Sequence, residues 1–152
     1  MDKEFGAVLQ LSLDMIQHLE GRQYADMGYE LLDCGKAGTD VPWVDFLYHC
    51  KPEHRNNYGG VFGGMICSVF DTCMGMGSVA VSEHLVTTAD LTVSFLRAAM
   101  GENFRIHLEY THVGGRLINI MGKMFDHDSG ELVATATGTF AVLQNAPKDL
   151  RD

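Results

Sequence analysis

Positive charge is scarce in this chain: 11 Lys and Arg stand against 20 Asp and Glu in 152 residues, a formal net charge of −9. A basic face of the kind that nucleic acids and anionic membranes select is therefore not expected. A local Lys/Arg cluster can still hold phosphates against a negative total. Proline is low at 3. The four cysteines (Cys34, Cys50, Cys67, Cys73) show no CxxC spacing. The N-terminal MDKEFGAVLQ is charged and lacks the apolar core of a secretory signal, so reduced thiols in a cytoplasmic protein are expected. No repeat, low-complexity tract or linker interrupts the chain, and residues 1–152 read as one domain large enough for a real core.

A second scarcity is local. From Val61 to Ser82 there is no Lys, Arg, Glu or His, and the only charge is Asp71. The stretch is long enough to span a membrane. Asp71 near its centre, four glycines (Gly63, Gly64, Gly75, Gly77) and the lack of a basic flank favour a helix surrounded by protein. Burying a lone carboxylate is unfavourable without a partner or a task, which makes Asp71 the first functional candidate. The plainer alternative is a structural carboxylate satisfied by Ser68, Thr72 or backbone groups.

Apolar positions at helical spacing (Val8, Leu9, Leu11, Met15, Ile16, Leu19) predict an N-terminal helix within residues 1–22, with Gly21 as its stop. Residues 27–33 and 43–50 read as strands around the turn-rich GKAGTDVP, and the apolar helix covers about 63–83. Residues 88–97 alternate, Ala89, Leu91, Val93 and Phe95 against Asp90, Thr92 and Ser94. Residues 104–111 alternate more cleanly, Phe104, Ile106, Leu108 and Tyr110 against Arg105, His107, Glu109 and Thr111. Strands at 116–125 and 131–143 follow, separated by DHDSG, and 143–152 is a short polar tail. Short turns predict antiparallel hairpins in a meander. The order fits an α+β domain with one long helix laid across a curved antiparallel sheet. A helix apolar nearly all round requires a wrapping sheet or a covering second chain.

NNYGGVFGGMICSVFDT, followed by TTADLTVSFLRAAMGENF and GELVATATGTFAV, resembles the hotdog-fold acyl-CoA thioesterases of the PaaI-like group over about residues 25–143. That family carries an Asn, a Gly three residues on, a His-Gly-Gly three residues later, and an acidic residue nine after the His. Asn56, Gly59, Gly63, Gly64 and Asp71 fall in that register. Arg97-Ala98 matches the end of a later family strand. Phe62 stands where the family has its His, a position the resemblance links to shaping the loop and the thioester pocket.

Thioester hydrolysis requires a donor for the developing oxyanion and a base or nucleophile across the carbonyl carbon. Gly63-Gly64 at a helix start offers free backbone N–H groups and the positive end of the helix dipole. Asp71 is the candidate base or nucleophile. Eight helical residues separate Gly63 from Asp71, about 12 Å at ~1.5 Å per residue. One carbonyl cannot meet both in one chain, so catalysis predicts a homodimer, alone or paired into a tetramer, with sites at the interface. The resemblance further implies that Asn56 lies near the attacking water and Thr88 helps hold it. Phe62 and Gly64 would contact substrate, and Arg97, Arg116 and Lys123 are candidates for coenzyme A phosphates. Coenzyme A enters as part of the substrate; no metal or redox cofactor is expected.

A non-catalytic acyl-CoA or fatty-acyl binding protein on the same fold is the alternative, with Phe62 marking lost chemistry. A hydratase would need a His paired with Asp in the helix region, and a transcription regulator a basic DNA-binding domain. His49-Cys50 with His54 lacks a fourth ligand at metal spacing. DHDSG has Gly at its fifth position and reads as a hairpin turn rather than a calcium loop.

Overall fold

The computed structural model describes residues 1–17, 27–36 and 41–144. Its elements run α1 (Lys3–Gln17), β1 (Tyr29–Gly35), β2 (Trp43–His49), a one-turn 3-10 helix (Pro52–His54), α2 (Gly63–Ser82), β3 (Val86–Phe95), β4 (Asn103–Val113), β5 (Leu117–Asp126) and β6 (Leu132–Val142). The Gly21 stop, Leu19 and most of the C-terminal tail lie outside the described residues.

The six strands form one antiparallel sheet in the order β1-β2-β4-β5-β6-β3, with α2 packed on one face. This is the hotdog architecture expected above. The meander expectation holds for β4-β5-β6 and fails for β3. Because β2 occupies the free edge of β4, β3 pairs instead with β6 at the far edge. The segment between β3 and β4 must therefore cross from one side of the sheet to the other.

Alternation on β4 comes out as expected: Phe104, Ile106, Leu108 and Tyr110 are buried, while their neighbours face away from the helix. α2 can lie close because two glycines hollow the sheet beneath it. A Cβ on Gly122 would meet Phe70 and Met74 at 3.0 Å, and one on Gly138 would meet the Met74 sulfur at 2.6 Å. On the helix, Gly77 makes room for Tyr110, whose hydroxyl donates to the Met74 carbonyl at 3.1 Å. α2 ends on Glu83 in the left-handed region (φ 60°), whose N–H returns to Val79 O at 2.8 Å.

α1 begins where the Asp2 carboxylate accepts the Phe5 N–H at 3.1 Å, and buries Phe5, Leu9 and Leu13 at i, i+4, i+8. Of the other apolar positions at helical spacing, Val8, Leu11 and Met15 are exposed and Ile16 is half-buried.

Candidate functional site

Sequence dictates how α2 starts. Phe62 is extended (φ −70°, ψ 149°) and offers no side-chain cap. Its carbonyl accepts Met65 N–H (3.0 Å) and Ile66 N–H (3.1 Å). The Gly63 and Gly64 N–H groups, in the first turn, have no intrahelical acceptor and lie at the surface. The Phe62 ring, 38% exposed, lies over Gly64, where a Cβ would come within 2.9 Å of it. Beside Gly63 runs an open groove of about 420 Å³ bordered by Phe95, Leu96 and Arg97.

The loop before the helix is held from several sides. Asn56 Oδ1 accepts Tyr58 N–H (3.0 Å) and Gly60 N–H (3.2 Å), closing a turn in which Gly59 has φ 87°. The Asn56 oxygen is thus spent on its own loop, while its amide N–H₂ has no partner among the described residues. Arg55 donates to the carbonyls of Gly59 and Gly101, both at 2.8 Å, tying the loop to the β3–β4 crossover. His54 Nδ1 accepts the Tyr48 hydroxyl (2.6 Å) and Lys51 N–H (3.2 Å), and the His54 carbonyl accepts Phe62 N–H (3.1 Å). Burial pushes the His54 pKa down, keeping the ring neutral and able to accept. Burial, reinforced by Cys50, pushes the Tyr48 hydroxyl up, which keeps it a donor.

The Asp71 carboxylate accepts the Thr88 hydroxyl at 2.6 Å. Strict alternation would put Thr88 on the outer face with Asp90, Thr92 and Ser94. The register slips between Thr88, opposite Phe140, and Asp90, opposite Thr139, leaving Ala89 as an extra residue. This bulge turns Thr88 inward onto the helix. Neither side chain expected to satisfy Asp71 structurally does so: Ser68 donates to Gly64 O (3.0 Å), and the buried Thr72 hydroxyl has no partner among the described residues. Asp71 is also half-buried rather than enclosed. Asp71 and Thr88 line a cavity of about 460 Å³ whose remaining walls are mainly apolar, including Met76, Val79, Leu85 and Val86.

Within one chain, Gly63 and Asp71 open onto different depressions, and only Arg97 of the three candidate phosphate ligands borders either one. Arg97 is engaged locally, donating to Leu132 O (3.0 Å) and pairing with Glu131 (3.4 Å). Arg116 is exposed between β4 and β5. Lys123 lies on the outer face of the sheet with Thr92, Ser94, His107 and Glu109. Asp126 Oδ1 accepts the N–H groups of Asp128 and Ser129, both at 3.0 Å, so DHDSG is the hairpin turn expected. No cluster of metal-binding side chains occurs among the described residues.

The anchoring roles of His54 and Arg55 carry no sequence signal, since their partners are backbone atoms and a tyrosine brought close by folding. The α1 wall of the Asp71 cavity (Ser12, Met15, Ile16) did leave one: apolar α1 positions beyond those needed for the core.

A family model described as "Thioesterase superfamily" matches residues 58–133, half of the chain. No curated protein matches the sequence. Among solved structures, a thioesterase family protein from Silicibacter pomeroyi is 20% identical with a TM-score of 0.72, covering 91% of this chain and 98% of its own. The E. coli PaaI protein from the phenylacetic acid degradation operon is 14% identical with a TM-score of 0.71, again covering 91% and 98%. The smu.793 protein of Streptococcus mutans, solved bound to acetyl CoA, is 19% identical with a TM-score of 0.69, covering 86% and 99%. At these identities the likeness establishes the fold.

Proposed function

Since the chain belongs to the thioesterase superfamily, we propose that it hydrolyses an acyl-CoA thioester to the free acid and coenzyme A. The observation that carries this reading is the Asp71–Thr88 pair beside an apolar cavity. A carboxylate that accepts one hydroxyl keeps further lone pairs for a water, and the apolar walls suit an acyl group. Asp71 activates that water or attacks the carbonyl carbon itself. Thr88 fixes the carboxylate, and Gly63 N–H from a second subunit polarises the thioester oxygen. Asn56 presents its free amide N–H₂ to substrate or water. Phe62 and Gly64 flank the thioester, and Arg97, Arg116 and Lys123 are offered to the coenzyme A phosphates. That a hotdog neighbour binds acetyl CoA is consistent with the ligand class.

The homodimer in this reading draws on two features of the single chain. Among the described residues the outer edge of β3 has no strand partner, leaving a row of backbone donors and acceptors open. Around it Phe95 and Leu96 are 54% and 52% exposed, next to the groove at Gly63. A second copy on this edge would cover them and bring its own Asp71 toward Gly63.

The test is thiol release over a panel of aromatic and short- to long-chain acyl-CoAs, for wild type and Asp71→Asn. Turnover that falls at least a hundredfold in the variant is the expected result. Equal turnover in both would make Asp71 structural. Binding with no turnover would favour the non-catalytic acyl-CoA protein, the reading to which Phe62 in the motif position points.

A further inference from the structure

We propose that α1 forms the far wall of the acyl pocket and that the chain thereby selects acyl-CoAs with an extended aliphatic tail; the inference rests on the thioester-site reading above. On α2, Asp71, Gly75 and Val79 follow one another at i, i+4, i+8 and so lie on one stripe. All three line the same cavity, and so do Ser12, Met15 and Ile16 from α1. A tail leaving the reacting carbon at Asp71 therefore has a channel along α2 under α1, away from the Gly63 groove.

Gly75 is the observation that points to an occupant. Glycine inside a helix is destabilising relative to alanine, so its presence calls for a reason. The reason is plain at Gly77, where a Cβ would come within 1.8 Å of the Tyr110 oxygen. At Gly75 the nearest contact of a Cβ is the Phe140 ring at 3.5 Å, ordinary van der Waals distance, and φ is not positive. Nothing among the described residues requires glycine there; the lack of a side chain leaves room in the pocket one turn beyond Asp71. Met15, Ile16, Met76, Val79, Leu85 and Val86 give the cavity its aliphatic and thioether surface, and thioether side chains adapt to a flexible tail. The volume of about 460 Å³ is far more than an acetyl group needs and lies within the ~300–1,000 Å³ range of small-molecule sites.

The test uses non-hydrolysable S-alkyl-coenzyme A thioethers, from S-ethyl to S-dodecyl, titrated by calorimetry into wild type, Gly75→Leu and Met15→Trp. Each methylene buried is worth about fourfold in affinity, so wild-type affinity rises with tail length until the channel is full. Filling the channel from either wall lowers the long-tail to short-tail affinity ratio by about tenfold or more, the equivalent of two excluded methylenes. Met15 is 65% exposed, so its variant folds even where Gly75→Leu does not. Wild-type affinity independent of tail length, or an unchanged ratio in Met15→Trp, overturns the proposal. Loss of a dimer in Gly75→Leu with tail binding unchanged also overturns it, since the bare helix position would then serve a second copy. The titration does not read hydrolysis. A protein that binds tails as expected but releases no thiol keeps the pocket and loses the hydrolase reading.

Discussion

Thr88 reaches the Asp71 carboxylate, at 2.6 Å, because Ala89 bulges out of the strand between Thr88 and Asp90. A hydrogen bond to a charged acceptor is worth about 1.5–3 kcal/mol where water is excluded and less at an exposed hydroxyl such as this one. Thr88→Val is therefore expected to lower kcat about tenfold, well short of the loss in Asp71→Asn. Thr88→Ser, which keeps the donor, should restore most of it. Steady-state thiol release measures all three; a Thr88→Val enzyme at wild-type rate would show that the bond is idle in catalysis.

Shared sites can be tested by mixing. Gly63→Pro removes the proposed oxyanion donor without disturbing the helix, because proline is favoured at the first helical position and Phe62 before it is already extended. Gly63→Pro and Asp71→Asn should each be nearly inactive alone. Refolded together in equal amounts they should recover about a quarter of wild-type activity, since half of the dimers are mixed and each mixed dimer regains one intact site. No recovery would place both groups of a site in one chain.

Gly77→Ala should be among the most destabilising single changes available in α2. Its methyl would strike the Tyr110 ring, 1% exposed, and displace the hydroxyl from the Met74 carbonyl. Overpacking and a stranded buried hydroxyl together cost about 3 kcal/mol. For a domain of this size that corresponds to a Tm lower by about 10 °C. Gly75→Ala, two positions away, should be neutral or stabilising, and calorimetry on both separates packing from general helix effects.

His107 supplies a pH signature. Its Nδ1 meets Asp45 at 2.7 Å on β2, with Glu109 and Arg105 beside it on β4 and Lys123 opposite on β5. The Asp45 hydrogen bond raises its pKa above the ordinary 6.5. A raised histidine pKa stabilises the folded state below the unfolded value and ceases to do so as pH rises through the folded one. Relative to His107→Asn, wild type should gain up to about 1 kcal/mol on the acid side of about pH 6.5, and little at about pH 9. Urea midpoints at the two pH values read the difference; a gap that widens with pH would contradict the assignment.

The alternation in 104–111 marks β4 because that strand is paired on both edges and buried on one face, the setting in which period two survives into structure. The same rule misplaces Thr88, since a one-residue bulge reverses which side chains face inward and leaves no trace in composition. The buried helix is legible from its charge gap, whereas the choice of β6 rather than β4 as the partner of β3 is not. That choice depends on which sheet edge β2 has already taken, a tertiary fact. Asn56 is located by register with the family motif, yet its oxygen serves its own turn, as a short polar side chain in a glycine-rich loop often does. Apolar residues of α1 beyond the core face, such as Met15, look like helix interior in sequence. In the structure they border the Asp71 cavity.

The pairing of β3 with β6 also sets an order of events during synthesis. β3 leaves the ribosome directly behind α2, but β6, its one partner strand among the described residues, is some forty residues further along the chain. Until β6 emerges, α2 has neither its full sheet nor a closed edge beside it, and the most apolar segment of the protein stays uncovered. Closing that long loop is the slow, entropically costly event in such a topology. The nascent chain is thus most vulnerable to aggregation just before β6 emerges, a window in which chaperone contact with α2 would matter most.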